Sequence, residues 1–250
     1  MIDSFIKKLK IPNNCKLNKP VFKKLFLENG SLDATDKKAL KDDISKIRWL
    51  YTLKQSTINI APYHDESREY LEVAILQIDL SKPERIKRIA GFIQKTIPYP
   101  LVVIFTHENK FCLNLADKRI NQADKTKLVL LDIWTTSWID LENPTKAQVD
   151  FMDACAINNL SFTNFYAFYE DIKLRVIALN AGTHKNIFEL GSKERNENRS
   201  KDLRAIEDLE REVAELRSRL KKESQFNHKL DLNIEIKKRI ENIARLQEQL

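Results

Sequence analysis

The chain predicts a mixed α/β (α+β) fold: a sheet of four to five strands with flanking helices, followed by a C-terminal helical hairpin or coiled coil. Three observations carry this reading. Tyr70 to Glu108 runs as a β-rich apolar stretch, a stretch of helical spacing, and a second β-branched stretch. Lys110 to Leu115 and Leu128 to Trp138 then add β-branched and aromatic segments. The last fifty residues lack Gly and Pro and repeat apolar residues at heptad spacing.

Taken in order, Met1 to Lys10 is a short amphipathic helix with Ile2, Phe5, Ile6 and Leu9 on one side, closed by Pro12. Lys19 and Pro20 lead into a short apolar segment. After polar turn residues Ser31 to Asp36, the run Lys37 to Leu53 reads as a helix with Leu40, Ile44, Ile47 and Leu50 or Tyr51 in one stripe. Lys37, Lys38, Lys41 and Lys46 lie mostly off that stripe, a cationic face suited to nucleic acid and equally to solvent. Thr57 to Ile60 alternates as a short strand, and Pro62 to Glu69 is a polar loop.

In the central unit, Ser81 and Glu84 have the spacing of a capping box, with Pro83 in the first turn. Ile86, Ile89, Ala90, Ile93 and Ile97 share a face, and Pro98 and Pro100 end the helix. Lys110 to Leu115 returns antiparallel to Leu101 and its neighbours through His107 to Asn109. From Asn143 the pattern is helical: Val149, Met152, Ala156 and Leu160 mark one helix, and Phe162, Phe165, Phe168, Tyr169, Ile172, Val176 and Leu179 a second. This gives a mixed α/β domain over 1–142 with a basic N-terminal region, a helical extension over 143–180, a polar linker over 181–200 and the helical tail over 201–250.

In the tail, Ile206, Leu209, Val213, Leu216 and Leu220 follow a strict a/d register, which then meets Asn227, Lys237 and Glu241. A second set, Leu232, Ile236, Ile240, Ile243, Leu246 and Leu250, defines a new face. Two nearly equal arms about a polar turn, Glu223 to Lys229, suggest an antiparallel hairpin; the alternative is one long helix pairing with a second chain across a stutter. A hairpin would gather Arg217, Arg219, Lys221, Lys222, His228 and Lys229 at its tip, with Phe226 exposed or tucked between the arms.

Composition narrows the function classes. The net charge is +7, and its excess lies in Met1 to Ile60, with thirteen Lys and Arg against six Asp and Glu. That region fits a solubilising surface or a phosphate-contacting face. Cys15, Cys112 and Cys155 are odd in number and widely spaced, unlike a disulfide framework or a zinc site, and suit a reducing cytoplasm. No signal segment and no run near the roughly 20 apolar residues of a membrane span occurs.

With only Gly30, Gly91, Gly182 and Gly191, neither a dinucleotide fingerprint nor a P-loop can be written, and no motif marks a nucleophile. No cofactor and no metal site is expected. The residual catalytic candidates are Glu72 and Asp79, carboxylates on one strand as in metal-dependent nucleases. The lysine such sites place two residues after an acid is absent, since Ala74 follows Glu72. His64, Asp65, Glu66 and Glu69 read as an acidic loop beside them.

Four stretches carry a resemblance: Ile47-Arg48-Trp49-Leu50-Tyr51-Thr52-Leu53 leading to Thr57-Ile58-Asn59-Ile60; Ile97-Pro98-Tyr99-Pro100; Asn164-Phe165-Tyr166-Ala167-Phe168-Tyr169-Glu170-Asp171; and Lys222-Glu223-Ser224-Gln225-Phe226-Asn227-His228-Lys229-Leu230-Asp231-Leu232-Asn233. Together they resemble the bacterial family catalogued as domain of unknown function 4391, over nearly the whole chain. The last stretch is the most specific. His228 stands where arginine is expected, which keeps one titratable positive charge and loses the bidentate fork.

The resemblance implies no catalytic residues. It implies a neighbourhood of helicases and DNA methyltransferases in restriction or phage-defence islands. The expectation is a non-enzymatic accessory subunit that docks such a partner through Lys222, Gln225, Phe226, Asn227, Lys229 and Asn233, with DNA affinity from the basic N-terminal region. A divergent metal-dependent nuclease and a coiled-coil homodimer are the alternatives.

Overall fold

The computed structural model describes residues 2–122, 124 and 128–250. Two compact units divide the chain, residues 1–176 and 177–250. In chain order the first unit contains α1 (Ile2–Lys8), β1 (Lys16–Pro20), α2 (Lys23–Asn29), α3 (Ala34–Asp42), β2 (Ile44–Lys54), α4 (Gln55–Ile58), β3 (Tyr63–His64), β4 (Glu69–Tyr70), β5 (Glu72–Leu80), α5 (Ile86–Thr96), β6 (Leu101–His107), β7 (Lys110–Ile120), β8 (Leu128–Thr135), β9 (Ile139–Asp140), α6 (Lys146–Ala154) and most of α7 (Phe165–Gly182). The second unit holds the end of α7, then α8 (Lys193–Lys222) and α9 (Phe226–Gln249).

The mixed α/β class stands, with a larger sheet than expected: seven strands in the order β1-β2-β5-β6-β7-β8, with β9 also on β7. Among the described residues only β5 and β6 run parallel, joined by α5; the other pairs are antiparallel. On one face, Ala39 and Leu40 of α3 and Ile89, Ala90, Phe92 and Ile93 of α5 pack on Ile47, Ala74, Leu76, Ile78, Val103 and Phe105. On the other face, Phe5, Leu53, Ile75, Val102, Ile104, Leu113, Phe168 and Ile172 line a small apolar cavity of about 30 Å³, and Phe5 stacks on Phe111 at 4.4 Å. Both faces are therefore covered, which is why β5 and β6 are apolar almost without alternation.

Of the strands not expected, β1 and β9 are short, and the long one, β2, comes from the stretch expected to be a helix over Lys37 to Leu53. Helix α3 stops at Asp42, with Asp43 N–H donating to Ala39 C=O, and Ile44 opens β2. The misleading feature is spacing. Ile44, Ile47, Leu50 and Leu53 are buried at every third residue without sharing one face: Ile44 and Ile47 pack on the side of α3 and α5, Leu53 lines the cavity on the other side, and the register with β5 shifts between Ile44 and Lys46 and between Trp49 and Tyr51. Because both faces of β2 are covered, residues buried on the two faces together imitate a helical stripe.

Other boundaries move for local reasons. Thr57 belongs to the single turn α4, which Asn59 ends in the left-handed conformation at φ 55°, rather than to a strand. The capping box at Ser81 and Glu84 does not form, because the Ser81 amide and hydroxyl donate to the Asp43 and Asp42 carbonyls; α5 starts at Ile86. Capping boxes form instead at Asp33 with Asp36 and at Thr145 with Gln148. Helix α6 ends at Ala154, leaving Ala156 and Leu160 in the following turn.

In the second unit, the polar stretch expected as a linker over 181–200 is partly helical: Ser192 caps α8, its hydroxyl accepting from Arg195 N–H at 3.2 Å. Gly182, at the end of α7, is required by close approach, since a Cβ there would collide with the Ile187 carbonyl. Gly182→Ala should therefore destabilise the chain although alanine is the better helix former by about 1 kcal/mol. A lowered melting temperature would show this; an unchanged or raised one would refute it.

Helices α8 and α9 are joined by Glu223 to Gln225 alone and fold back on each other. Val213, Leu216 and Leu220 meet Leu232 and Ile236; Leu203 and Ile206 meet Ile243, Leu246 and Leu250. An ion pair, Arg239 to Glu212 at 3.1 Å, crosses the pair. These contacts run in opposite sequence order, the signature of an antiparallel helical pair. Among the described residues no helix is long and apolar enough to cross a membrane.

Candidate functional site

The tip of the helical pair is built by one carboxylate. Glu223 Oε1 accepts from the Ser224 and Gln225 amides at 2.7 and 2.8 Å, and its other oxygen lies 3.6 Å from His228 Nδ1. The two amide bonds hold the Glu223 carboxyl below the usual carboxylate range. Because Glu223 closes the turn, Gln225 becomes the N-cap of α9 without a side-chain cap of its own. Phe226 is then the first helical residue and stands 77% exposed.

Phe226 does not stand alone. Leu230 and Ile234, one and two turns further on, are 51% and 45% exposed. The three form a stripe on the side of α9 turned away from Leu232 and Ile236, which pack against α8. Lys222, Gln225, Phe226, Asn227 and Lys229 are all exposed at or beside the tip. Asn233 lies two turns down the helix, exposed, and donates its amide to the Lys229 carbonyl at 2.9 Å. Sequence reasoning missed Leu230 and Ile234, although their spacing of four from Phe226 was a visible signal. It also assigned Ile240 to the inter-helix face, where the structure leaves it exposed.

The carboxylate candidates do not come together. Glu72 and Asp79 occupy opposite ends of β5, about 23 Å apart at roughly 3.3 Å per residue. Glu72 is ion-paired with Lys54 at 3.3 Å. Asp79 Oδ1 accepts from Gln77 Nε2 and Thr106 Oγ1, both at 2.6 Å, and Arg48 donates to Gln77 Oε1 at 3.1 Å. His64 faces Glu69 across the β3–β4 hairpin. In that hairpin Asp65 accepts from the Ser67 amide and the Tyr63 hydroxyl, bonds that bring its pKa down to about 2. The acidic loop is thus a turn closed on itself. Among the described residues, no group of three or more His, Cys, Asp or Glu is placed to hold a metal ion.

The four lysines divide as well. Lys37, Lys38 and Lys41 are exposed on α3, on the sheet face that carries Ile47 and Ile78. Lys46 is on β2, not on a helix, and pairs across the strand with Asp79 on the opposite face.

A family model described as domain of unknown function (DUF4391) matches residues 9–243. The chain belongs to this family. No curated protein and no solved structure matches it.

Three of the four stretches that carried the resemblance to DUF4391 are spent inside the first unit. Trp49 donates to Thr52 Oγ1 at 2.8 Å and meets Tyr99 edge-on at 6.1 Å. The Ile97 to Pro100 turn is held by Lys118, whose side-chain nitrogen reaches the Ile97 and Tyr99 carbonyls at 2.7 and 2.6 Å. On α7, Tyr166 stacks on Tyr63 at 5.0 Å, and the buried Tyr169 hydroxyl bonds β6 and β7. In the fourth stretch of this DUF4391 chain, Leu232 packs against α8 while Phe226 and Leu230 stand exposed.

Proposed function

We propose that this chain is a non-enzymatic accessory subunit of a DNA-processing or phage-defence system of the restriction type. In this reading α8 and α9 form the arm that docks a helicase or DNA methyltransferase in the cytoplasm. The observation that supports it is the exposed stripe of Phe226, Leu230 and Ile234 at the end of the helical pair. A soluble domain gains nothing by leaving such side chains in water, and aromatic residues in this setting are typical interface anchors. The cations Arg219, Lys221 and Lys222 in the last turn of α8 suit a partner of acidic surface. The three buried, unpaired cysteines agree with a reducing compartment.

The test is capture of the tagged full-length chain from its own host in nuclease-treated lysate, beside Phe226→Ala and Lys229→Glu. Both positions are exposed, so the melting temperature should stay within about 1–2 °C of wild type. Capture of the helicase or methyltransferase should fall at least about tenfold for Phe226→Ala, as for an interface anchor worth more than 1.4 kcal/mol. Undiminished capture by both variants would remove the helical pair from the docking role.

A further inference from the structure

The charge excess of the N-terminal region is carried by lysines that the fold leaves unneutralised. We infer that these lysines, along the β1 edge of the sheet and on α3, hold a single-stranded nucleic acid by its phosphates, with Phe22 as a stacking platform for a base. Of the six carboxylates in Met1 to Ile60, four are spent on ion pairs: Asp33 and Asp36 on Arg88, Asp43 on Arg85 and Glu28 on Lys24. Lys16, Lys19, Lys37, Lys38, Lys41 and Lys46 are all exposed, and among the described residues none of them forms an ion pair. Arg48, two residues on from Lys46, adds a further cation on the same face of β2 and donates to the neutral Gln77. The unpaired carboxylates around them are fewer: Asp3 near Tyr51, Asp42 one turn from Lys38, Glu84 near Arg85, and Asp79 across from Lys46, with Oδ1 taken by Gln77 and Thr106.

These cations form a track. Strand β1 ends the sheet with all five residues exposed, Lys16 and Lys19 among them. Beyond the pair Pro20 and Arg48, Val21 N–H donates to Ile47 C=O at 3.0 Å and Phe22 keeps an extended backbone, which sets Phe22 beside Lys46 on the face of Arg48. Phe22 is 74% exposed. The side-chain nitrogen of the next residue, Lys23, reaches the Lys41 carbonyl at 3.0 Å, so the α3 lysines continue the track. Lys16 to Phe22 spans about 20 Å at about 3.3 Å per residue, and Lys37 to Lys41 about 6 Å at about 1.5 Å per residue.

The placement selects the occupant. Lys46 and the α3 lysines lie on opposite faces of the sheet, with β1 at the edge beside them. A flat bilayer reaches one side only, and duplex DNA, stiff over about 150 base pairs, does not fold over a strand edge. A second copy brings lysine against lysine, and protein interfaces are depleted of lysine. A single strand bends over the edge, sets its phosphates on the cations and stacks a base on an exposed aromatic ring without reading sequence.

The experiment titrates the full-length chain, by fluorescence anisotropy at low and raised salt, with a labelled oligothymidylate and with a duplex of equal length. The single strand should bind at least about tenfold more tightly than the duplex, and its affinity should fall as salt rises. Lys16→Glu with Lys19→Glu should weaken it about tenfold and flatten the salt slope by about 1.4, two phosphate contacts at about 0.7 each. Phe22→Ala should cost about fivefold or more through the lost stack. Lys146→Glu, at an exposed position on α6, should change nothing. All these positions are exposed, and unchanged melting temperatures would show that each variant folds. Duplex binding as tight as that of the single strand, binding that neither the lysine pair nor Phe22→Ala weakens, or capture by phosphatidylglycerol vesicles in place of the oligonucleotide would overturn the inference. So would the absence of binding at low salt, which would leave the lysines as a solvated face.

Discussion

Tyr169→Phe should destabilise the first unit by roughly 2–4 kcal/mol, with the change read from urea unfolding. The ladder between β6 and β7 ends at the pair Val103 and Asn114, and beyond it the two strands separate. The Tyr169 hydroxyl fills the gap: it accepts from Ala116 N–H at 3.0 Å and donates to Leu101 C=O at 2.8 Å. Burial pushes the phenol's pKa upward, so it remains a donor throughout the accessible pH range. Phenylalanine keeps the ring and leaves a buried amide without its partner and a buried carbonyl with only a 3.4 Å contact from Gln94. Each such group costs about 1–3 kcal/mol. A loss below about 1 kcal/mol would mean that the strands close up and pair directly.

The stability of wild type should rise relative to Lys118→Met as pH climbs towards about 10. Lys118 is buried on β7. Among the described residues it forms no ion pair, and its nitrogen donates to the Ile97 and Tyr99 carbonyls. Burial holds its pKa well below the ordinary lysine value. The unfolded chain, with a lysine pKa of about 10.4, therefore binds more protons than the folded one across the window between the two values. Stability from this group is fully present above the unfolded pKa and is lost as pH falls through the folded pKa, with a slope of at most about 1.4 kcal/mol per pH unit. Taking the difference between wild type and Lys118→Met cancels the exposed lysines and tyrosines. Parallel profiles would show that water reaches the amine; a difference that shrinks with rising pH would show that the ammonium form is the one the fold holds.

Both predictions concern polar groups that no reading of the sequence could place. Tyr169 looked like one more aromatic in the stripe of α7, and Lys118 like an ordinary charged residue near the end of a strand. The separation of β6 from β7 turns the first into a substitute for ladder hydrogen bonds and the second into the clamp on Ile97 and Tyr99. A separation between strands is a property of how the sheet twists over its neighbours, and leaves no local trace in the chain. The misplaced helix over Lys37 to Leu53 has the same kind of origin. Two shifts of register in β2 and the cover on both of its faces together give a threefold burial pattern, and only the tertiary structure reveals either.

The candidate site was legible to a different degree. The turn at Glu223 and the two arms follow from local rules, namely no Gly or Pro, two heptad sets out of phase and a polar break between them, whereas local rules left Phe226 either exposed or tucked between the arms. The spacing of Leu230 and Ile234 from Phe226 was visible, but which side of α9 it marks stayed open until the face packed on α8 was known. Once Leu232 and Ile236 are seated against α8, the geometry of one helix obliges Leu230 and Ile234 to face outward.

By itself the sequence determined the mixed class, the strand–helix–strand order of β5, α5 and β6, the return of β7 and two helical arms about a polar turn. These rest on hydrophobic period and turn chemistry, which act over a few residues. The tertiary structure alone decided the seven-stranded sheet, the distance that parts Glu72 from Asp79, the opposite faces of Lys46 and the α3 lysines, and the face of α9 left open. Each of those depends on which strand or helix lies beside which. That choice is made by burial over the whole chain, where the free energy of covering apolar surface outweighs any local preference.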